Sequence, residues 1–354
     1  MNKAAAPKKS PGFWRLAWRR YRTHKLGMFG LVMVLALFVV GFCAPLIAND
    51  EPIVCKYDGK IFFPGVVETI QNIPFASTVL RKDKPFRFPS FNFKESYDPD
   101  RGDWAFWAPI PFGPVELAAN PLESPSKVHW LGTDESGRDV LARLIYGTGI
   151  SMKIGFISMG IAVVIGLVLG ASAGYYGGWI DMVISRIIEI VMCFPVFFIL
   201  LAILAWLPPR IEYVMIVIGL TRWVGIARYA RGEIMRLRDS DFAMAARALG
   251  ASSPRIIFRH LLPNSLAPVL VSVTFGVASA ILIEAALSWL GFGVQAPQPS
   301  WGTILRSGYE NLFTAAHMIP PACGAIFIAV LSFNLVGDTL RDVIDPRLHT
   351  GGPS

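Results

Sequence analysis

Long stretches of this chain carry no Asp, Glu, Lys, Arg or His at all: Leu26 to Ala48, Ile154 to Ile180, Ile190 to Pro208, Ser265 to Ile283 and Met318 to Val336. Each is close to or above the ~20 residues a helix needs to cross a bilayer. Hydrocarbon offers no hydrogen bonds to a backbone, so such runs must be helical. Only 16% of the residues are charged and 53% are hydrophobic, against about a quarter charged in a soluble domain. A sixth span is weaker: Tyr213 to Thr221 is apolar, Arg222 interrupts, and Trp223 to Ala227 is apolar again. An even number of spans places both chain ends on one side. The first run is too long for a signal-peptide core and no small-x-small cleavage site follows it, so it reads as a retained anchor.

The expected fold is therefore an all-α membrane protein with six transmembrane helices. Residues 1–25 form an N-terminal tail, 26–48 the first span and 49–140 an insert. A transmembrane domain over 147–341 follows, with spans at about 153–176, 183–206, 211–229, 265–292 and 317–337, a loop at 231–263, and a C-terminal tail over 338–354. Charge orients it. Residues 1–25 hold Lys3, Lys8, Lys9, Arg15, Arg19, Arg20, Arg22 and Lys25 with no acid, and residues 231–263 hold six Arg against three acids. The insert is acidic on balance. The positive-inside rule puts both tails and the loop in the cytoplasm and the insert outside. The net charge of +8 thus follows membrane topology and does not point to nucleic acid.

In residues 11–25, Trp14, Ala17, Trp18 and Tyr21 share one helical face with arginines around the rest, which suits an N-terminal interfacial helix against membrane lipid. The insert is rich in proline and aromatics, which excludes long helices. Alternation at Lys84, Phe86 and Phe88 suggests a short edge strand. The insert is either a compact cap or a surface for a soluble binding protein. Cys43, Cys193 and Cys323 lie in or beside apolar spans and Cys55 stands alone in the insert, so they read as apolar fillers. Gly166, Gly170 and Gly174 form a four-residue stripe that lets another helix approach closely.

Asp241 to Pro263 is short, basic and set between two spans. Ala243, Ala245, Ala246, Ala248 and Leu249 favour a helix, Gly250 suits a left-handed stop, and Ser252-Ser253-Pro254 suits the start of a second helix over Arg255–Leu262 that ends near Pro263-Asn264. With its Ala245-Ala246, Gly250 and Leu262-Pro263 spacing, the segment resembles the cytoplasmic "EAA" loop of ABC-importer permeases, with Met244 where that family usually has Glu. Residues 129–147, with Gly132-Thr133-Asp134, Gly137-Arg138-Asp139 and Arg143-Leu144-Ile145-Tyr146-Gly147, resemble a segment of the dipeptide/oligopeptide/nickel branch. Asn334-Leu335-Val336-Gly337-Asp338, Asp345-Pro346-Arg347 and Ala285 to Gly293 resemble the same branch. The insert is similar to that of the Yej-type permeases, which import oligopeptides and peptide-like antibiotics such as microcin C.

This resemblance implies a type I ABC importer permease in a bacterial inner membrane, multi-pass, moving oligopeptides or peptide-like compounds into the cytoplasm. It implies a second homologous permease in a heterodimer, two ATP-binding-cassette ATPase domains and a periplasmic substrate-binding protein. The chain has no GxxxxGK[ST] loop, so ATP and Mg belong to the ATPase partners, the chain needs no cofactor of its own, and it is a transport subunit, not an enzyme. Ala245, Ala246, Gly250, Leu262 and Pro263 would form the ATPase-coupling loop. Gly132, Thr133, Asp134, Gly137, Arg138 and Asp139 form the outer signature segment; a metal loop is the weaker reading of it.

Glu284, Arg222 and Glu189 are ionisable at membrane depth, which makes each a functional candidate. Glu284 either lines the pathway or, the favoured reading, pairs with Arg186 or Arg222 to hold helices together. Two alternatives stand beside peptide import: a proton-coupled secondary transporter using Glu284 or Glu189, and nickel as the cargo.

Overall fold

The computed structural model describes residues 13–57, 60–71, 94, 102–117 and 120–344. The long helices are α2 (Lys25–Phe42), α5 (Val140–Tyr176), α8 (Ile211–Leu237), α10 (Ser253–Trp289) and α13 (Ile319–Ile344). Around them lie α1 (Phe13–Tyr21), α3 (Ala44–Ile47), α4 (Pro64–Gln71), α6 (Gly178–Met192), α7 (Val196–Trp206), α9 (Asp241–Ala248), α11 (Trp301–Glu310) and α12 (Leu312–Ala315). The central helix is α5, which packs on α2, α6, α8 and α10, while α13 closes the bundle against α2 and α10. The main core joins Met152, Met159 and Ala162 of α5 to Trp223 and Ile226 of α8, Val277 and Ile281 of α10, and Phe333 of α13.

Close helix approach rests on the glycine stripe. A Cβ placed on Gly166 would lie 2.6 Å from Ile226 Cβ, and one on Gly174 2.6 Å from the Arg231 carbonyl oxygen. Gly170 sits as tightly against the Ala227 backbone. The stripe therefore seats α5 on α8, where dispersion between backbones stands in for the hydrophobic drive that lipid removes. The other faces are greasy: Leu26, Phe29, Val32, Leu35 and Val39 of α2 are all exposed.

Among the described residues, four helical stretches are long and apolar enough to cross a membrane: α2, α5, α10 and Leu312–Ile344. A fifth crossing exists if α6 and α7 count as one. Those two meet at an 84° bend, so the single helix expected at 183–206 is two. Pro195 is the reason: its ring cannot continue a helix and it pushes Phe194 out of helical backbone, and α7 restarts directly after it. The expected sixth span lies within α8, whose Glu212, Arg222 and Arg228 keep it below the apolar standard of the others.

Three further boundaries differ. Helix α5 begins at Val140, well before 153, because its first turns are buried by protein, with Val140, Ala142, Ile145 and Thr148 all inside. The helix expected to stop near Pro263 runs on to Trp289. A π-turn over Ile256–Leu261 precedes the proline and absorbs its missing N–H at the junction. Helix α13 reaches Ile344; the Asp345-Pro346-Arg347 match lies outside the described residues, as does the strand expected at 84–88.

The insert departs from an all-α reading. It holds a three-stranded antiparallel sheet in the order β2 (Lys60–Phe62), β1 (Val54–Tyr57), β3 (Trp104–Phe106). Cys55 pairs with Phe62 and Ala105 across the strands and is buried; burial raises its thiol to about 11. In α1, Tyr21 is buried and its hydroxyl donates to the Gly27 carbonyl at 2.9 Å, with Trp18 stacked on it.

Candidate functional site

Two segments flank α5, roughly 50 Å apart at 1.5 Å per residue. At its N-terminus lies the 129–143 segment. Asp139 caps the helix, its Oδ1 accepting from the Ala142 N–H at 2.7 Å, while its Oδ2 lies 2.9 Å from His129 Nδ1. Asp134 accepts from the Ser136 and Arg138 amides at 2.8 and 3.0 Å. Its other oxygen pairs with Arg138 Nε at 2.8 Å and Arg143 Nε at 3.2 Å. Arg143 also donates to the carbonyls of Pro114 and Pro297. Thr133 donates to the Asn120 carbonyl at 2.6 Å. Gly132 takes φ +73°, and a Cβ there would strike the Glu123 carbonyl and His317. Gly137 turns the loop at φ +79°.

Asp134, Arg138, Asp139 and Arg143 are all buried. Both carboxylates are already engaged by guanidinium, imidazole and backbone N–H groups. The segment is thus a fastening: it fixes the start of α5 to the insert and, through Glu135 accepting from Ser307, to α11.

The 241–263 segment lies at the other end. After α9, the Ala251 N–H reaches back to the Ala246 carbonyl at 3.1 Å and Gly250 takes φ +79°, a left-handed helix stop. Ser252 in extended backbone, followed by Pro254 in the first turn, opens α10. The inner face is anchored: Ala243, Ile256, Ile257 and Leu261 are buried with Leu262 against Ile234 and Leu237 of α8 and Ala171 of α5. The outer face presents bare apolar side chains among the exposed Arg247, Arg255 and Arg259. Leu249 is 88% exposed, and Phe242, Met244 and Phe258 are also exposed. Ala245, Gly250 and Pro263 stand on this outer side, Ala246 is half-buried and Leu262 is in the core. No atom lies within 4 Å of a Cβ placed on Gly250. Just before the loop, the Glu233 carboxylate holds the exposed Arg236 guanidinium above the usual arginine range.

The ionisable residues at membrane depth separate. Glu284 is fully buried and accepts from Ser151 at 3.1 Å and Ser288 at 2.7 Å, with the Ser300 hydroxyl as a third partner. It pairs with neither Arg186 nor Arg222, a correction to the favoured reading. Three hydroxyls from α5, α10 and the start of α11 satisfy it instead. Glu189 is exposed and pairs with Arg186 at 2.5 Å along α6. Arg222 donates to Ser279 of α10. The serines were missed because hydroxyls carry no charge signal in sequence, and only the fold brings Ser151 to Glu284.

A segment fastened by buried charges thus stands at one end of α5, and a turn with exposed apolar side chains at the other. The family model for the binding-protein-dependent transport system inner membrane component matches residues 166–350, which include the whole 241–263 segment. A model for the N-terminal TM domain of oligopeptide transport permease C matches residues 12–59. The dipeptide transport system permease protein DppC of Alkalihalophilus pseudofirmus is 42% identical over 249 residues, 70% of this chain and 82% of that protein. The inner membrane ABC transporter permease protein YejE of Escherichia coli (strain K12) is 34% identical over 341 residues, 93% of this chain and 96% of that protein. A chain of the inward-facing MetNI methionine ABC transporter aligns at 20% identity with a TM-score of 0.47, over 57% of this chain and 97% of that one. With its apolar helices placed as they are, this chain belongs to the family of binding-protein-dependent transport system inner membrane components, multi-pass membrane permeases of ABC transporters.

Proposed function

We propose that this chain is one half of the channel of an importer that carries oligopeptides or peptide-like compounds across the bacterial inner membrane into the cytoplasm. In this reading six spans cross the membrane in a type I importer arrangement, α8 and the bent α6–α7 pair among them. Both chain ends and the 241–263 turn face the cytoplasm, and the insert faces the periplasm. A second homologous permease completes the channel, a periplasmic binding protein delivers the cargo, and two ATPase subunits bind ATP and Mg.

The observation that carries it is the inner turn. Its buried side is welded to α5, α8 and α10, while its outer side presents Leu249, Phe242, Met244 and Phe258 to water. A rigid apolar knob of this kind suits insertion into a partner's cleft, and its continuity with α10 lets a push on it move a channel helix as a lever. The names of the relatives, dipeptide and oligopeptide permeases, support the cargo class. Proton coupling through Glu284 fits less well, since that carboxylate is enclosed by serines.

Mild-detergent purification of the tagged chain tests the assembly: a second permease and ATPases with phosphate-binding loops should accompany it. Gly250→Trp tests the coupling. A bulky side chain there projects outward into the docking surface, so the chain should still fold while ATPase copurification falls and uptake is lost. Normal uptake by that variant would remove the turn from the mechanism.

A further inference from the structure

Arg222 sits near the middle of α8, and its Nη2 donates to the Ser279 hydroxyl of α10. Its Nε is buried and has no hydrogen-bond partner among the described residues. Neither does any described carboxylate pair with it; Glu284, on α10, is held by serines. A guanidinium at that depth calls for an anion, and this chain supplies a hydroxyl.

The surface around it is unlike a lipid face. Arg222 is half-buried, and Gly225, Tyr229 and Gly232 continue one stripe of α8 at helical spacing, all exposed. A Cβ on Gly225 or Gly232 would meet nothing within 4 Å. The lipid-type stripe of α2 carries Leu26, Phe29, Val32, Leu35 and Val39 in the corresponding role. Gly225 and Gly232 leave open space beside Arg222 and Tyr229 where the α2 stripe has bulk.

We propose that Arg222, with Ser279, is a carboxylate-recognition point on the channel wall. It takes the free carboxylate of a passing substrate, a C-terminus or an acidic side chain, by a charge-assisted hydrogen bond from the guanidinium. This rests on the importer reading and adds a specificity determinant to it.

The test uses the assembled transporter in proteoliposomes. In a background with Cys43, Cys55, Cys193 and Cys323 replaced, Gly225→Cys places a thiol one turn from Arg222. A sulfonate methanethiosulfonate should label it about tenfold faster than the trimethylammonium reagent, and Arg222→Gln should abolish the preference. Uptake then compares one peptide as free acid and as C-terminal amide. Arg222→Gln should cut uptake of the acid by about tenfold and spare the amide, with Arg222→Lys between. Failure to label overturns the proposal, because the stripe is then dry. Labelling without charge preference overturns it too, because an acid of the second permease then neutralises Arg222. Equal loss of both peptides marks a structural arginine. If the unmodified transporter moves neither peptide, the importer reading falls for peptides, while the labelling preference still decides whether the site is an anion site.

Discussion

The two segments at the ends of α5 use opposite physics. The one at its N-terminus hides its charges: Asp134 is buried against Arg138 and Arg143, and Asp139 against His129. The one at its C-terminus displays apolar side chains, with Leu249 almost fully exposed. A buried ion network is a poor source of net stability but is strongly destabilising to break, so it fixes geometry. An exposed apolar knob contributes nothing to the isolated fold, so its value lies in what covers it. The difference teaches where to look for each role: mutations in the first should act on folding, mutations in the second on transport.

The largest effect on stability should come from Asp134→Ala. It leaves Arg138 and Arg143 buried without their anion, which costs about 3–5 kcal/mol. Detergent-solubilised protein should show a large fall in Tm or no monodisperse peak in size-exclusion chromatography. A wild-type profile with selective loss of uptake would make the outer segment a working site and erase the contrast. Gly132→Ala comes next. The left-handed backbone and the collision with the Glu123 carbonyl and His317 should cost about 2 kcal/mol, read as a lower Tm with transport per folded molecule unchanged.

Gly250→Ala sharpens the comparison, because Gly250 shares the positive φ of Gly132 but has open space around it. Strain alone should cost about 1 kcal/mol. A loss equal to that of Gly132→Ala would mean that the turn is packed by something in the isolated chain. The two glycines thus separate backbone strain from collision, in one protein and with one substitution.

Much of this contrast was legible in the sequence, and the illegible part has a common cause. The charge-free runs, the stop at Gly250, the start at Ser252–Pro254 and the glycine stripe are local patterns, set by residues within a few turns of one another. The inner turn is itself local, so its shape could be read. What escaped depends on distant partners. The serine set around Glu284 joins residues from three helices. The sheet pairs Val54–Lys56 with Trp104–Phe106 across the insert. Helix α5 extends to Val140 because protein covers its first turns. The break at Pro195 is a different case: hydropathy measures composition, and a proline within an apolar run leaves the composition intact while it bends the backbone by 84°. Pro263 is its counterpart, where a π-turn lets a proline pass without ending the helix.

The smallest effect on stability should be the most informative about function. Leu249 is 88% exposed and follows α9 at the point where its helix ends, so Leu249→Ser should change Tm by no more than about 0.5 kcal/mol equivalent. Seating that side chain in a partner's cleft would gain about 1.5–3 kcal/mol of burial, and its loss should weaken docking by roughly tenfold to a hundredfold. Copurification of the ATPases should fall in that proportion at limiting concentration, and uptake should fall with it. Raising the ATPase concentration should restore both, because a weakened contact answers to mass action whereas a misfolded loop does not. Unaltered copurification would mean that the exposed apolar face has another occupant, and the inner turn would then lose its claim to be the place where hydrolysis reaches the channel.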